Sequence, residues 1–113
     1  MTDCIFCKII AGEIPSNKLY EDDHALVFHD IAPAAPVHFL VVPKLHLEAA
    51  SALGPGDESL VGHLFVVIAK VTKELGVNDF RIIANNGAGA GQTVPHLHFH
   101  VLAGREMGAL LGR

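Results

Sequence analysis

Between Asp57 and Leu75 the apolar residues Leu60, Val61, Leu64, Val67, Ile68, Val71 and Leu75 return at helical spacing, with Lys70, Lys73 and Glu74 between them. A helix that buries one face shows such a stripe, so a long amphipathic helix is predicted here. Asp57 and Glu58 suit its positive N-terminal end, and Gly76 suits its exit. Phe39-Leu40-Val41-Val42 is a continuous apolar run stopped by Pro43, as in a central strand covered on both faces. Leu19-Tyr20 and Ala25 to His29 read as a hairpin turned through Glu21-Asp22-Asp23. Cys4 to Ala11 reads as a short helix ended by Gly12 and Pro15, and the prolines of Asp30 to Pro36 make that stretch a loop. Phe80 to Ala84 reads as a further strand, followed by the glycine-rich Asn85 to Gly91. The last strand is expected over His98 to Ala103, beginning near His96. Strands thus come as a hairpin and then as a pair split by the long helix. The economical architecture is an α+β domain: a mainly antiparallel sheet carrying one long and one short helix, with residues 1–113 forming a single domain.

Composition narrows the classes of function. Half of the 113 residues are apolar and 18% are charged, which suits a packed core rather than disorder. The net charge of -4 speaks against a nucleic-acid partner, which favours a basic excess. No apolar run approaches bilayer length, so no membrane partner is expected. Met1-Thr2-Asp3-Cys4 lacks the basic and apolar regions of an export signal, and the expected location is the cytoplasm.

Eight residues are histidine, and three of these fall in His96-Leu97-His98-Phe99-His100. On a strand, alternate residues share a face, so His96, His98 and His100 would stand in a row about 6.5–7 Å apart, with Leu97, Phe99 and Val101 behind. Such a row suits metal coordination or the handling of a phosphate. The preceding Asn86-Gly87-Ala88-Gly89-Ala90-Gly91-Gln92-Thr93 favours phosphate, because glycine lets backbone N–H groups approach an anion closely. No Lys-Ser/Thr pair follows the glycines, so this is no Walker loop. An imidazole, with an ordinary pKa of about 6.5, is largely neutral and nucleophilic near pH 7. An attacking ring needs its second nitrogen held by a hydrogen bond, and flanking histidines can donate to oxygens that gain charge.

Cys4 and Cys7, the two cysteines of the chain, form Cys-x-x-Cys. That is half of a tetrahedral zinc site, and spacing alone leaves the other two ligands open among eight histidines. A thioredoxin-like redox motif would accompany a βαβ pattern, which is missing.

Gly91-Gln92-Thr93-Val94-Pro95-His96-Leu97-His98-Phe99-His100-Val101-Leu102 resembles the signature of the histidine triad family. Cys4 to Ile10, Glu13-Ile14-Pro15, Phe28 to Pro33 and Val37 to Lys44 are similar to its Hint branch, so the resemblance spans nearly the whole chain. It implies a homodimer whose sheet extends across the interface. It also implies hydrolysis of purine nucleoside 5′-phosphoramidates through a nucleotidyl-histidine intermediate, with no catalytic cofactor. By resemblance His98 is the nucleophile, His100 and His38 contact the phosphate or assist the leaving group, and Thr93 joins them. Gly91, Gln92 and Thr93 match phosphate contacts and Asn85 a further polar contact; Asp30 matches the ribose-binding carboxylate. Phe6, Phe28, His29 and Ile31 match the purine pocket. Similar proteins bind structural zinc through positions matching Cys4, Cys7, His46 and His96. The chain lacks tryptophan, so it departs from relatives with an aromatic tail, and this bears on the amine side of the substrate. The Gln92-Thr93-Val94 version of the loop is shared with the branch that cleaves dinucleoside polyphosphates. That reaction is one alternative, and a nucleotide- or zinc-binding regulator with vestigial activity is another.

Overall fold

The structure, a computed structural model, describes residues 3–110. Its order is α1 (Ile5–Ile10), β1 (Lys18–Glu21), β2 (Ala25–His29), β3 (Val37–Pro43), α2 (Glu58–Glu74), β4 (Phe80–Ile83) and β5 (Phe99–Ala103). Short 3-10 turns lie at Ala50–Ala52 and Ala88–Ala90. The five strands form one antiparallel sheet in the order β1-β2-β3-β5-β4. The last strand therefore inserts between β3 and β4, which the long helix separates in sequence. This is the expected α+β architecture. No helix among the described residues is long and apolar enough to cross a membrane.

Period-two alternation gives the sheet two apolar faces. Val27, Phe39, Val41, Phe99 and Val101 pack against Leu64, Val67, Ile68 and Val71 of α2. Leu26, Phe28, Leu40 and Val42 face the other way and pack against Cys4, Phe6 and Ile9 around α1. Fully burying one such side chain contributes roughly 1.5–3 kcal/mol, so both helices are held mainly by their apolar faces. The stripe read on α2 is buried at its centre, but Leu75 is exposed. It caps the helix, and Gly76 turns away in the left-handed region at φ +71°. Thr72 is buried instead, its hydroxyl donating to the Ile68 carbonyl at 2.8 Å.

One boundary differs from expectation: β5 starts at Phe99, with His96 and His98 before the ladder. Pro95 has no N–H to offer a partner strand. His96 N–H turns back to Val94 O at 2.8 Å, and Leu97 N–H bonds Leu47 O at 2.6 Å. The alternation nevertheless persists through this segment, since Leu97 joins the α2-side core while His96 and His98 meet Phe6.

Candidate functional site

The two faces of β3 and β5 bring the histidines together. His38 shares a face of β3 with Leu40 and Val42, and Leu40 stands opposite His100 on β5. His38 and His100 are thus diagonal neighbours across the strand pair, and His98 follows on the same side of the sheet.

The ring nitrogens have assigned roles, because a carbonyl only accepts and a backbone N–H only donates. His98 Nδ1 lies 2.6 Å from His96 O, so Nδ1 carries the hydrogen and Nε2 keeps its lone pair. Ala34 N–H donates to His38 Nδ1 at 3.0 Å, which leaves the hydrogen of the neutral ring on Nε2. That Nε2–H donates to His100 Nδ1 at 2.9 Å, and His100 keeps Nε2–H as its own donor. The His98 tautomer thus leaves a lone pair on Nε2, and the His100 tautomer leaves a hydrogen-bond donor there. Burial pushes His100 down to about 4, helped by His98 and His38 and opposed by Asp30, so the ring is neutral at pH 7. Asp30 Oδ2 is 3.4 Å from His38 Nε2, and its Oδ1 accepts from Ala32 N–H. Three residues of metal-binding type, Asp30, His38 and His100, meet here, but the hydrogen on His38 Nε2 occupies the direction a cation would need.

Beside this relay is a cavity of about 350 Å³, mostly apolar. Phe6, Phe28, His29, Asp30, Ile31, Thr93, His98 and His100 line it, as read from the sequence. Phe6 meets His98 edge to face at 5.0 Å and Phe28 at 5.6 Å. His38 stands behind His100. Ile5, Ile9, Ile14, Pro15, Ser16, Leu40 and Val94 complete the wall and were not singled out as site residues from the sequence. The helical spacing of Ile5 and Ile9, and the shared parity of Leu40 and His38, carried that information. Ser16 left no signal; its Oγ is buried without a partner among the described residues.

Asn85, Gly91 and Gln92 do not line the cavity. The glycine loop closes on itself: Ala90 and Gln92 N–H both bond Gly87 O, and Gly91 N–H bonds Ala88 O. The Gln92 carboxamide is likewise engaged within the protein. Of the amides from Gly91 to Thr93, that of Thr93 has no backbone partner among the described residues.

The second cluster joins α1 to the start of the histidine segment. Cys4 Sγ and Cys7 Sγ lie 3.3 and 3.6 Å from His96 Nδ1, Cys7 Sγ lies 3.3 Å from His46 Nδ1, and the two Nδ1 atoms are 3.1 Å apart. His96 Nε2–H donates to Pro43 O at 2.8 Å, so its Nδ1 lone pair faces the sulfurs. Four donors within 4.8 Å, one tautomer held by an outer hydrogen bond, can hold a metal ion. Burial lowers the His96 pKa, and burial with the neighbouring Cys4 raises that of Cys7. A cation would bind the neutral imidazole that burial favours at His96 and would offset the cost of the buried thiolate at Cys7.

A family model described as HIT domain matches residues 11–107. The chain belongs to the HIT domain family. An uncharacterised HIT-like protein of Synechocystis is 52% identical over 104 residues, covering 91% of each chain. The chain is also similar to a histidine triad protein of Clostridium difficile, 49% identical, with TM-score 0.93 and 96% of each chain covered. A HIT family hydrolase of Legionella pneumophila is 37% identical, with TM-score 0.94 over 97% of this chain and all of its own. The HIT fold thus holds throughout the described sheet, and the triad is His96, His98 and His100. Its first member faces the cysteine cluster, while the other two face the cavity.

Proposed function

We propose that this HIT protein hydrolyses purine nucleoside 5′-phosphoramidates through a nucleotide attached to His98. The observation that carries the reading is the tautomer of His98, with Nδ1–H on a backbone carbonyl and Nε2 free beside an apolar cavity. In the proposed reaction the base enters between Phe6, Phe28 and Ile31, and Asp30 accepts from the ribose hydroxyls. His98 Nε2 attacks the α-phosphorus, the P–N bond breaks, and the amine leaves with a proton drawn from solvent while His100 Nε2–H hydrogen-bonds a phosphate oxygen. His38 supports His100 from behind, its Nε2–H on His100 Nδ1 holding the hydrogen of His100 on Nε2. Water then attacks phosphorus and returns one proton to solvent, the P–Nε2 bond breaks, and the nucleoside monophosphate leaves. Thr93 N–H and His100 stabilise the added negative charge, such donors each contributing on the order of 3 kcal/mol. No catalytic cofactor enters these steps. The Legionella relative's description as a hydrolase supports the reaction class.

Cys4, Cys7, His46 and His96 would hold zinc. Two thiolates and two imidazoles close a tetrahedral shell and leave no position for substrate, so the ion would supply stability. A homodimer formed through β4 would extend the sheet, since β4 is an edge strand bearing exposed Phe80 and Ile83.

Hydrolysis of adenosine 5′-phosphoramidate tests the reaction. Wild type is expected to turn over and His98→Ala to lose on the order of 10³-fold or more in kcat. No turnover by metal-replete wild type, with cleavage of a dinucleoside polyphosphate, would transfer the assignment to that reaction. Nucleotide binding with neither reaction would make the protein a regulator.

A further inference from the structure

Gln92 matches a phosphate contact of the family, yet its hydrogen-bonding capacity is spent inside the protein. Its Oε1 accepts from Gly87 N–H at 2.7 Å. Its two Nε2 hydrogens go to Glu48 O at 2.7 Å and Val94 O at 3.0 Å. Its own N–H bonds Gly87 O at 3.1 Å. A carboxamide has two N–H donors, so none is left for an anion.

These bonds join two segments that no strand pairing connects. On one side is the chain after β3, on the other the glycine loop with the approach to His98. Asn86 Oδ1 accepts from Ala50 N–H at 2.7 Å at one end of the seam, and Leu97 N–H bonds Leu47 O at 2.6 Å at the other. Gln92 is the middle tie and the one that reaches three places. Thr93 follows it directly and lines the cavity with His98 and His100. We propose that Gln92 is a positioning residue, whose carboxamide closes the glycine loop onto the chain after β3 and thereby sets the Thr93 N–H at the reacting phosphate.

The proposal rests on the reaction proposed above. A donor aimed at charge that develops in the transition state affects kcat, whereas a contact to the bound phosphate in the ground state affects KM as well. The two roles for Gln92 are therefore separable. Gln92→Met keeps the length and apolar stem of the side chain and removes all three of its hydrogen bonds. Gln92→Glu keeps an acceptor for Gly87 N–H but loses both donors.

The experiment measures steady-state hydrolysis of adenosine 5′-phosphoramidate and amide hydrogen exchange at Gly87 in wild type and both variants. In Gln92→Met, Gly87 exchange is expected to accelerate about tenfold or more, and kcat to fall about tenfold, with KM within about threefold. Gln92→Glu is expected to retain Gly87 protection and an intermediate kcat, and it supplies the result should the methionine variant not fold. Unchanged exchange at Gly87 in Gln92→Met, a loss carried by KM, or an unchanged kcat would each overturn the proposal. If wild type shows no turnover, the reaction itself fails, and AMP affinity replaces the kinetics. Faster Gly87 exchange with AMP affinity within about threefold then supports the positioning role, while loss of AMP binding with a protected Gly87 overturns it.

Discussion

His98 and His100 are two residues apart and chemically opposite. The His96 carbonyl makes His98 Nε2 a lone-pair donor, and the His38 relay makes His100 Nε2–H a hydrogen-bond donor. The low pKa of His100 has a consequence for stability. In the unfolded chain the ring binds a proton as pH falls through 6.5, whereas in the folded protein it does so at about 4. Between those values the unfolded state holds the extra proton, so stability falls as pH drops from 6.5 toward 4. The fall in melting temperature between pH 7 and pH 5 is therefore expected to be smaller in His100→Asn than in wild type. Equal falls would contradict this account. The row of histidines was legible at this scale because its residue types and spacing are local, whereas Asp30 was pointed to by the family resemblance alone. The tautomers were not: the relay from His38 to His100 joins distant strands, and the short-range bonds from Ala34 N–H and to His96 O depend on loop backbone that residue types and spacing do not fix.

At the scale of elements, α1 is shorter than an isolated helix needs in water. Its six residues are held by the apolar packing of Phe6 and Ile9 and by the cluster formed with His46 and His96. With zinc in that cluster, Cys4→Ser or a strong chelator is expected to lower the melting temperature by roughly 5 °C or more. Surviving Cys4→Ser enzyme is expected to lose proportionately less activity, because the cluster lies outside the reacting groups. Equal melting temperatures for both forms, with and without chelator, would remove the metal from this description. The boundaries of α2 and β2 were readable from periodicity. The start of β5 was not: Pro95 and the bond from Leu97 to Leu47 O delay the ladder until Phe99. The glycine loop was read as an open cradle, and its closure depends on Gln92 reaching Glu48 O and Val94 O.

For the whole molecule, the sheet order leaves β1 and β4 as edges. Exposed Phe65, Val66, Phe80 and Ile83 on α2 and β4 supply apolar surface for a second copy. Sedimentation at micromolar concentration is expected to give twice the monomer mass, and Phe80→Lys to shift the distribution toward monomer. A wild type that sediments as a monomer at that concentration would exclude the dimer.

The sequence by itself determined the α+β class, the long helix, the histidine face and the residue types available for phosphate and metal chemistry. Those follow from local periodicity and spacing, which the backbone geometry of one strand or helix converts directly into faces. Tertiary structure decided the insertion of β5 between β3 and β4, the selection of His46 and His96 for the cysteine cluster, and the direction of the imidazole protons of His38, His96, His98 and His100. It also decided that Gln92 braces the loop. Most of these depend on hydrogen bonds or strand pairings between distant segments, whose partners are chosen by packing both faces of one sheet, and the rest on loop backbone that the same packing bends.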